Sequence, residues 1–262
     1  MPELPEVNTF KRYFDKSALD QKIQQTIVHD DKIIRNASGE AFENLMQGRT
    51  FVSSYRRGKY LFAKMENGHD VLLHFGMTGD LKYYEDEMDK PKHERFVFCF
   101  DNGFRLGFDC PRKFARILYL EDRDQYIQEI KLGPDALEIE KDHFLSLTEG
   151  KKGSIKGFLL NQKHLAGVGN LYADEVCYQM QIHPGSVTSA IPLDKRAAIF
   201  DKMQEVIRFA VDKNAYYKDY PDNWLWQWRE PGATAPDGSA IDQAKIGGRT
   251  TYFFPGWQIL YS

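Results

Sequence analysis

The hydrophobic period changes once along this chain, and that change narrows the folds open to it. Residues 22–120 carry short apolar runs rich in β-branched and aromatic side chains, at 51–54, 60–65, 71–75, 96–100, 104–108 and 117–120. Turn pairs such as Asn67-Gly68 and Asn102-Gly103 separate them. In Arg95-Phe96-Val97-Phe98-Cys99-Phe100 both alternating faces are apolar, so this strand should be covered on both sides, as in a sandwich or barrel core. After Gly133-Pro134 the spacing turns helical. Ile155, Phe158 and Leu159 form one stripe, and Met203, Val206, Ile207 and Ala210 form another in a segment of roughly twenty residues that starts near Pro192.

Two further segments complete the outline. Pro5 suits a first helical position, and Val7, Phe10 and Phe14 follow on one face, so a short amphipathic helix over 5–18 precedes the β-rich stretch. Beyond Trp224 the sequence becomes aromatic and extended again, and Lys245-Ile246-Gly247-Gly248-Arg249-Thr250-Thr251-Tyr252 reads as a β-hairpin turning at the glycines. The predicted fold class is α+β. An N-terminal antiparallel β-sandwich with an N-terminal helix occupies 1–130, a helical domain 131–223, and a β-hairpin finger 224–262, with the first boundary falling between 121 and 135.

Length, charge and cysteine usage limit the function classes. At 262 residues there is room for two filled cores. The 35 Lys and Arg against 38 Asp and Glu give a formal charge of −3, so a nucleic-acid site would have to be a local basic patch. Cys99, Cys110 and Cys177 are too far apart for paired metal ligands and too few for a disulfide framework, which points to a reducing compartment. No apolar run approaches the ~20 residues that cross a bilayer, and the start lacks a secretion pattern. The expectation is a cytosolic protein with no membrane partner.

The sharpest chemistry lies in Met1-Pro2-Glu3-Leu4-Pro5-Glu6. Trimming of Met1 would expose the secondary amine of Pro2. Terminal amines titrate near pH ~8 rather than at the ~10.4 of lysine, so a useful fraction is unprotonated at neutral pH and can form a Schiff base with an aldehyde-like carbon. Glu3 beside it can relay protons. Arg56-Arg57-Gly58-Lys59-Tyr60 gathers three cations around a glycine, a composition suited to phosphates. Gly167-Val168-Gly169 lets backbone N–H groups face an anion at a helix start, where Asn170 adds a donor. Arg112-Lys113-Phe114-Ala115-Arg116 mixes cations with an aromatic wedge, and Met77 is a flexible apolar residue at a strand end. Taken singly, each has a plainer reading: an ordinary terminus, surface cations, a tight helical corner, core or rim side chains.

Taken in order, they do not. Pro2-Glu3-Leu4-Pro5-Glu6-Val7, Arg57-Gly58-Lys59-Tyr60, His74-Phe75-Gly76-Met77-Thr78-Gly79, Pro111-Arg112-Lys113-Phe114, Leu132-Gly133-Pro134, Gly167-Val168-Gly169-Asn170-Leu171-Tyr172-Ala173 and Gly248-Arg249-Thr250-Thr251-Tyr252-Phe253 are collinear. Through them the chain resembles, nearly end to end, the formamidopyrimidine-DNA glycosylase and endonuclease VIII family of base-excision repair enzymes. The resemblance implies a helix-two-turn-helix architecture for the helical domain. It also implies that Pro2 attacks the sugar C1′ of a damaged nucleotide, Glu3 handles the protons and Lys59 helps position the phosphates, with Glu6 and Glu175 as further carboxylates near the site. By the same resemblance Asn170 and Arg249 grip phosphates around an extruded nucleotide, Lys156 adds a contact, and Met77, Arg112 and Phe114 fill the hole the flipped base leaves. The implied reaction is glycosidic cleavage through a Schiff base, followed by β,δ-elimination of both flanking phosphates. No cofactor is implied, the partner is damaged double-stranded DNA, and the protein acts as a monomer, at the bacterial nucleoid or in a eukaryotic nucleus.

Three departures stand out. The family usually ends in a four-cysteine zinc finger, yet Phe254-Pro255-Gly256-Trp257 stands where the second cysteine pair would be, and 233–238 holds no cysteine either. A zincless finger is expected, held by Trp257, Phe254 and Tyr252 with Trp226 or Trp228. The segment 212–224 is short and does not resemble the loop that covers an extruded 8-oxoguanine, so oxidised purines and oxidised pyrimidines both stay open as substrates. Cys110 stands where an aspartate is usual and Arg95 where a second histidine is, and with the acidic balance this suggests weaker or more salt-sensitive DNA binding. Two rivals remain: an enzyme that is mainly an abasic-site lyase, and a damaged-DNA binder without turnover.

Overall fold

The computed structural model describes residues 1–235 and 238–262. The chain divides into two compact units, Met1–Lys131 and Leu132–Ser262, and residues 224–262 fall in the second.

The first unit runs α1 (Leu4–Ala18), β1 (Ile23–Val28), α2 (Gly39–Met46), β2 (Phe51–Arg57), β3 (Tyr60–Met65), β4 (Asp70–His74), β5 (Asp80–Tyr84), β6 (Glu94–Phe100), β7 (Arg105–Asp109), β8 (Arg116–Leu120) and α3 (Arg123–Glu129). The strands form two four-stranded sheets, ordered β1-β6-β7-β5 and β2-β3-β4-β8, every pairing antiparallel. Their inner faces share one core. Phe51 of β2 meets Phe98 of β6 edge to face at 5.4 Å, and Phe96, Val97, Phe98 and Phe100 of β6 are all buried, as the doubly apolar strand requires. Helix α1 closes one side. Its Phe14 packs on Phe51 at 5.1 Å and its Phe10 on Phe75 at 4.3 Å, so the helix behind the terminal proline is fixed at two points along its apolar stripe. This is the antiparallel sandwich with an N-terminal helix that the periodicity predicts.

The second unit contains α4 (Lys141–Thr148), α5 (Ile155–Leu160), α6 (Asn170–Gln179), α7 (Leu193–Asp212), β9 (Asp242–Ile246) and β10 (Arg249–Phe253). Phe144 of α4 joins the other helices, lying 5.3 Å from Phe200 and 5.5 Å from Phe158. The Leu132-Gly133-Pro134 segment is sewn to the α5–α6 turn: Gly133 N–H donates to Gln162 O at 2.8 Å, and Ala166 N–H to Pro134 O at 2.8 Å. A Cβ on Gly133 would sit 2.7 Å from Lys163 O, which explains the glycine.

β9 and β10 form the expected hairpin. Ile246 pairs with Arg249, leaving Gly247 and Gly248 as a two-residue turn with φ of 59° and 74°, the pattern of a type I′ turn. Beneath it lies a small core of Leu225, Ile241 and Phe254, with Tyr178, Trp228 and Tyr252 against it. Two aromatics depart from expectation. Trp226 turns away to Tyr217, with ring centroids 4.4 Å apart, and Trp257 stays exposed, its indole N–H donating to Tyr178 O at 3.3 Å. No cysteine follows Cys177, so the donor set here does not fit a thiolate zinc site. The small apolar core lies where such a site would be.

Candidate functional site

Glu3 is the N-cap of α1. Glu3 N–H donates to Glu6 Oε2 at 2.8 Å, one arm of a capping box whose other arm is the Glu3 carboxylate on the Glu6 N–H. Glu6, expected among the catalytic carboxylates, is therefore placed as a capping partner that fixes the backbone of Glu3. Pro2 precedes it, partly exposed, while the Glu3 residue is buried. Residues before a helix normally fray. Here the box and the packed helix hold Pro2 and Glu3 in one arrangement.

Lys59 lies with Gly58 in the two-residue turn that joins β2 to β3, closed by the Arg57–Tyr60 pair. Gly58 takes φ of 57°, and Arg56 Nη1 donates to its carbonyl at 3.2 Å. The three cations thus sit on a hairpin, and Lys59 is buried at its tip. Its charge is felt nearby: burial, with the cations of Arg116 and Lys59, pushes the His74 imidazole down to about 3. His74 is neutral at physiological pH, and its Nδ1 accepts from Gly76 N–H at 3.2 Å, shaping the turn that carries Met77.

Met77, Arg112 and Phe114 are brought together. Thr78 Oγ1 accepts from Arg112 N–H at 3.3 Å, and the Arg112 guanidinium carbon lies 5.2 Å from the Phe114 ring centroid. Met77 is 39% and Phe114 53% exposed, unusual for side chains of that size. The unit thus presents two apolar tips and a cation on adjoining turns.

In the second unit Asn170 opens α6, and its Nδ2 donates to Thr250 O of β10 at 3.1 Å, which sets it beside Arg249. Gln162 shapes the preceding turn by accepting from Gly167 N–H and donating to Val168 O, both at 2.9 Å. The turn, a helix start and an exposed arginine together present the donors and the charge that suit an anion.

Lys156 and Glu175 are both enclosed in the second unit. Lys156 is fully buried: its ammonium pairs with Asp174 Oδ1 at 2.6 Å and donates to Thr251 Oγ1 at 2.6 Å. Arg229 Nη2 meets the other oxygen of Asp174 at 2.9 Å, and Tyr252 N–H reaches the same oxygen at 3.4 Å. Burial lowers the Lys156 pKa against the pull of Asp174. A lysine enclosed in this way ties the finger to α5 and α6 and does not offer its charge to solvent. Glu175 is also buried, accepting from Gln179 Nε2 at 2.8 Å and Trp226 N–H at 3.3 Å, and desolvation pushes its carboxyl up to about 7.

The reading of the sequence missed Asp174 and Arg229, and it quoted His74 within a motif without giving it a role. The roles of Asp174 and Arg229 are set by partners far away in the chain, and Asp174 lies just past the motif around Asn170. The reading also missed a recess of about 600 Å³ beside residues 215–227, where Tyr216, Tyr217, Lys218, Asp222 and Trp226 form the wall.

A β-sandwich headed by a proline and a glutamate, and a helical unit bearing a hairpin finger with an exposed arginine, define the class: a two-unit α+β protein. Models of the formamidopyrimidine-DNA glycosylase N-terminal domain and H2TH domain match residues 1–117 and 132–219. The chain belongs to the formamidopyrimidine-DNA glycosylase family. A formamidopyrimidine-DNA glycosylase of Arabidopsis thaliana is 35% identical over 279 residues, across 100% of this chain and 72% of its own length. One from Streptococcus pneumoniae serotype 4 is 32% identical, with 98% and 99% covered. The crystal structure of the Lactococcus lactis enzyme bound non-covalently to DNA containing an AP site superposes with a TM-score of 0.87 at 25% identity, covering 98% of this chain and 99% of that one. A variant of the same enzyme with DNA containing Fapy-dG gives 0.86 at 26% identity.

Proposed function

We propose that Pro2 is the nucleophile and Glu3 the proton carrier of a bifunctional DNA glycosylase and abasic-site lyase. The chain is a DNA glycosylase of base-excision repair by its family. The observation that carries the residue assignment is the capped start of α1, which holds Pro2 and Glu3 in place through the 2.8 Å bond from Glu3 N–H to Glu6.

With Met1 removed, the Pro2 nitrogen attacks the sugar C1′ of a damaged nucleotide. The C1′–base bond breaks, the base leaves with a proton, and opening of the ring gives an iminium between Pro2 and C1′. The iminium makes the C2′ proton acidic. Loss of that proton expels the 3′ phosphate, and a second elimination expels the 5′ phosphate, with Glu3 moving protons on the sugar oxygen. Lys59 contributes cationic charge for the phosphates, as do Arg249 and the Asn170 amide at the finger. Met77, Arg112 and Phe114 occupy the gap left in the duplex, since a base flipped out costs stacking that inserted side chains recover. The protein works as a monomer on duplex DNA, in whichever compartment holds that DNA. Among the described residues no helix is long and apolar enough to cross a membrane.

Borohydride reduction on DNA with an abasic site should trap a covalent adduct whose crosslinked peptide begins at Pro2, and Pro2→Gly should lose it. Retention of Met1 on active protein, or a crosslink elsewhere, ends this assignment. A panel of duplexes carrying oxidised purines and pyrimidines then reads the substrate.

A further inference from the structure

The turn that carries Arg112 and Phe114 is held from the outside by two residues that the reaction does not use. Arg95, on β6, donates from Nε to Cys110 O at 2.8 Å and from Nη2 to Pro111 O at 3.2 Å. Its Nη1 reaches Asp30 Oδ2 at 3.4 Å, and that same oxygen accepts from Lys113 Nζ at 2.5 Å. Asp30 is itself fixed, because the N–H groups of His29 and Asp30 both donate to Arg95 O, at 2.8 and 3.0 Å. The Arg95 and Asp30 side chains are 13% and 15% exposed, so these charge-assisted bonds are shielded more than surface pairs are.

Lys113 gives the arrangement a purpose. It takes φ of 56°, a left-handed conformation that costs a non-glycine residue of order 1 kcal/mol and persists only where neighbours over-determine it. Here the neighbours are Asp30 on its side chain and Arg95 on the carbonyls of Cys110 and Pro111. The hydrogen bond from Lys113 holds the Asp30 carboxyl below its usual range.

We infer that Arg95 and Asp30 are positioning residues that lock the 110–113 turn in its strained form, so that Arg112 and Phe114 are presented to the duplex as a rigid wedge. The planar fork of arginine spans two carbonyls and a carboxylate at once, which a histidine in that position cannot do. The inference rests on the DNA glycosylase reading above. A pre-formed wedge speeds the flipping of a base out of a duplex and is irrelevant to a single strand whose base is already gone.

Arg95→Gln and Asp30→Asn should slow single-turnover excision from a lesion duplex by about tenfold, with trapping on a single-stranded abasic oligonucleotide held within about twofold. 2-Aminopurine next to the lesion should brighten more slowly in both variants. Trypsin should cut after Arg112 or Lys113 faster in Arg95→Gln than in the native protein, a readout independent of activity. Native excision and native tryptic resistance in Arg95→Gln would overturn the inference, as would equal losses on duplex and single strand. Absence of trapping by the native protein would instead refute the glycosylase reading, while the tryptic comparison still decides whether Arg95 holds the turn.

Discussion

A Cβ on Gly76 would lie 2.4 Å from both the carbonyl carbon and the carbonyl oxygen of Phe114. The turn that carries Met77 and the turn that carries Phe114 are therefore in backbone contact, and Gly76 also takes φ of 61°. Gly76→Ala has to push Phe114 away as well as adopt a left-handed conformation. Gly68 is the control, since it has φ of 88° and nothing within 4 Å. Gly68→Ala should cost about 1 kcal/mol for its conformation alone, and Gly76→Ala about 3 kcal/mol, as urea denaturation will show. Equal costs would mean that the contact yields freely. Excision from duplex DNA should fall with Gly76→Ala only.

Lys156 is enclosed with one carboxylate and an arginine, so the cost of removing it differs from that of removing a surface lysine. Lys156→Met leaves Asp174 buried with Arg229 alone and should destabilise the protein by about 3–5 kcal/mol. Replacing both, as Lys156→Met with Asp174→Leu, removes the buried carboxylate and leaves only the part-exposed Arg229 without its partner, so part of that loss should be recovered. Double-mutant denaturation curves measure the coupling, and strict additivity would show that the pair is not an ion pair in solution.

Glu175 titrates at about 7 in the folded protein against an ordinary value of 4.5, because burial penalises its charge. Between those values the folded protein keeps a proton that the unfolded chain has released. Its stabilising contribution is whole below about pH 4.5 and is lost as the pH rises to about 7, worth roughly 3 kcal/mol across the window. Glu175→Gln has no such proton, so its stability relative to the native protein should improve from about pH 4.5 to about pH 7 and then level off. Guanidinium melts at several pH values follow this, and a difference that stays flat would show that Glu175 titrates normally.

How much of this was legible in the sequence depends on how local each cause is. Helix α1 announces itself through Val7, Phe10 and Phe14 at helical spacing, and the finger turn through Gly247-Gly248, since both signals lie within a few residues. The strands that were missed, Ile23–Val28 and Asp80–Tyr84, are the edges of their sheet, with burial on a few positions only, so the alternation that marks a strand is weak. Helices Gly39–Met46, Arg123–Glu129 and Lys141–Thr148 bury only one or two side chains each, which leaves no stripe to read. In the site, the residue types of Pro2, Arg112 and Asn170 were readable from motif order. The burial of Lys156 was not, because lysine is ordinarily a surface residue and the carboxylate that encloses it with Arg229 belongs to another helix. The clamp by Arg95 was visible only as a departure from a family pattern, and its partner Asp30 not at all.

The finger offers the last test, because a metal-held and a packing-held hairpin respond oppositely to two treatments. Stripping zinc from a cysteine site unfolds it, whereas a core of Leu225, Ile241 and Phe254 has nothing for a chelator to remove. EDTA should leave the melting temperature and the DNA affinity unchanged. Phe254→Ala should cost about 3–5 kcal/mol in stability, since the side chain is buried and contacts Tyr178 and Trp228, and should weaken DNA binding at fixed salt because Arg249 is then carried by a loosened hairpin. A fall in melting temperature with EDTA, reversed by zinc, would mean that a metal holds the finger after all. Native behaviour of Phe254→Ala would place its rigidity in the ion pairs around Asp174 instead.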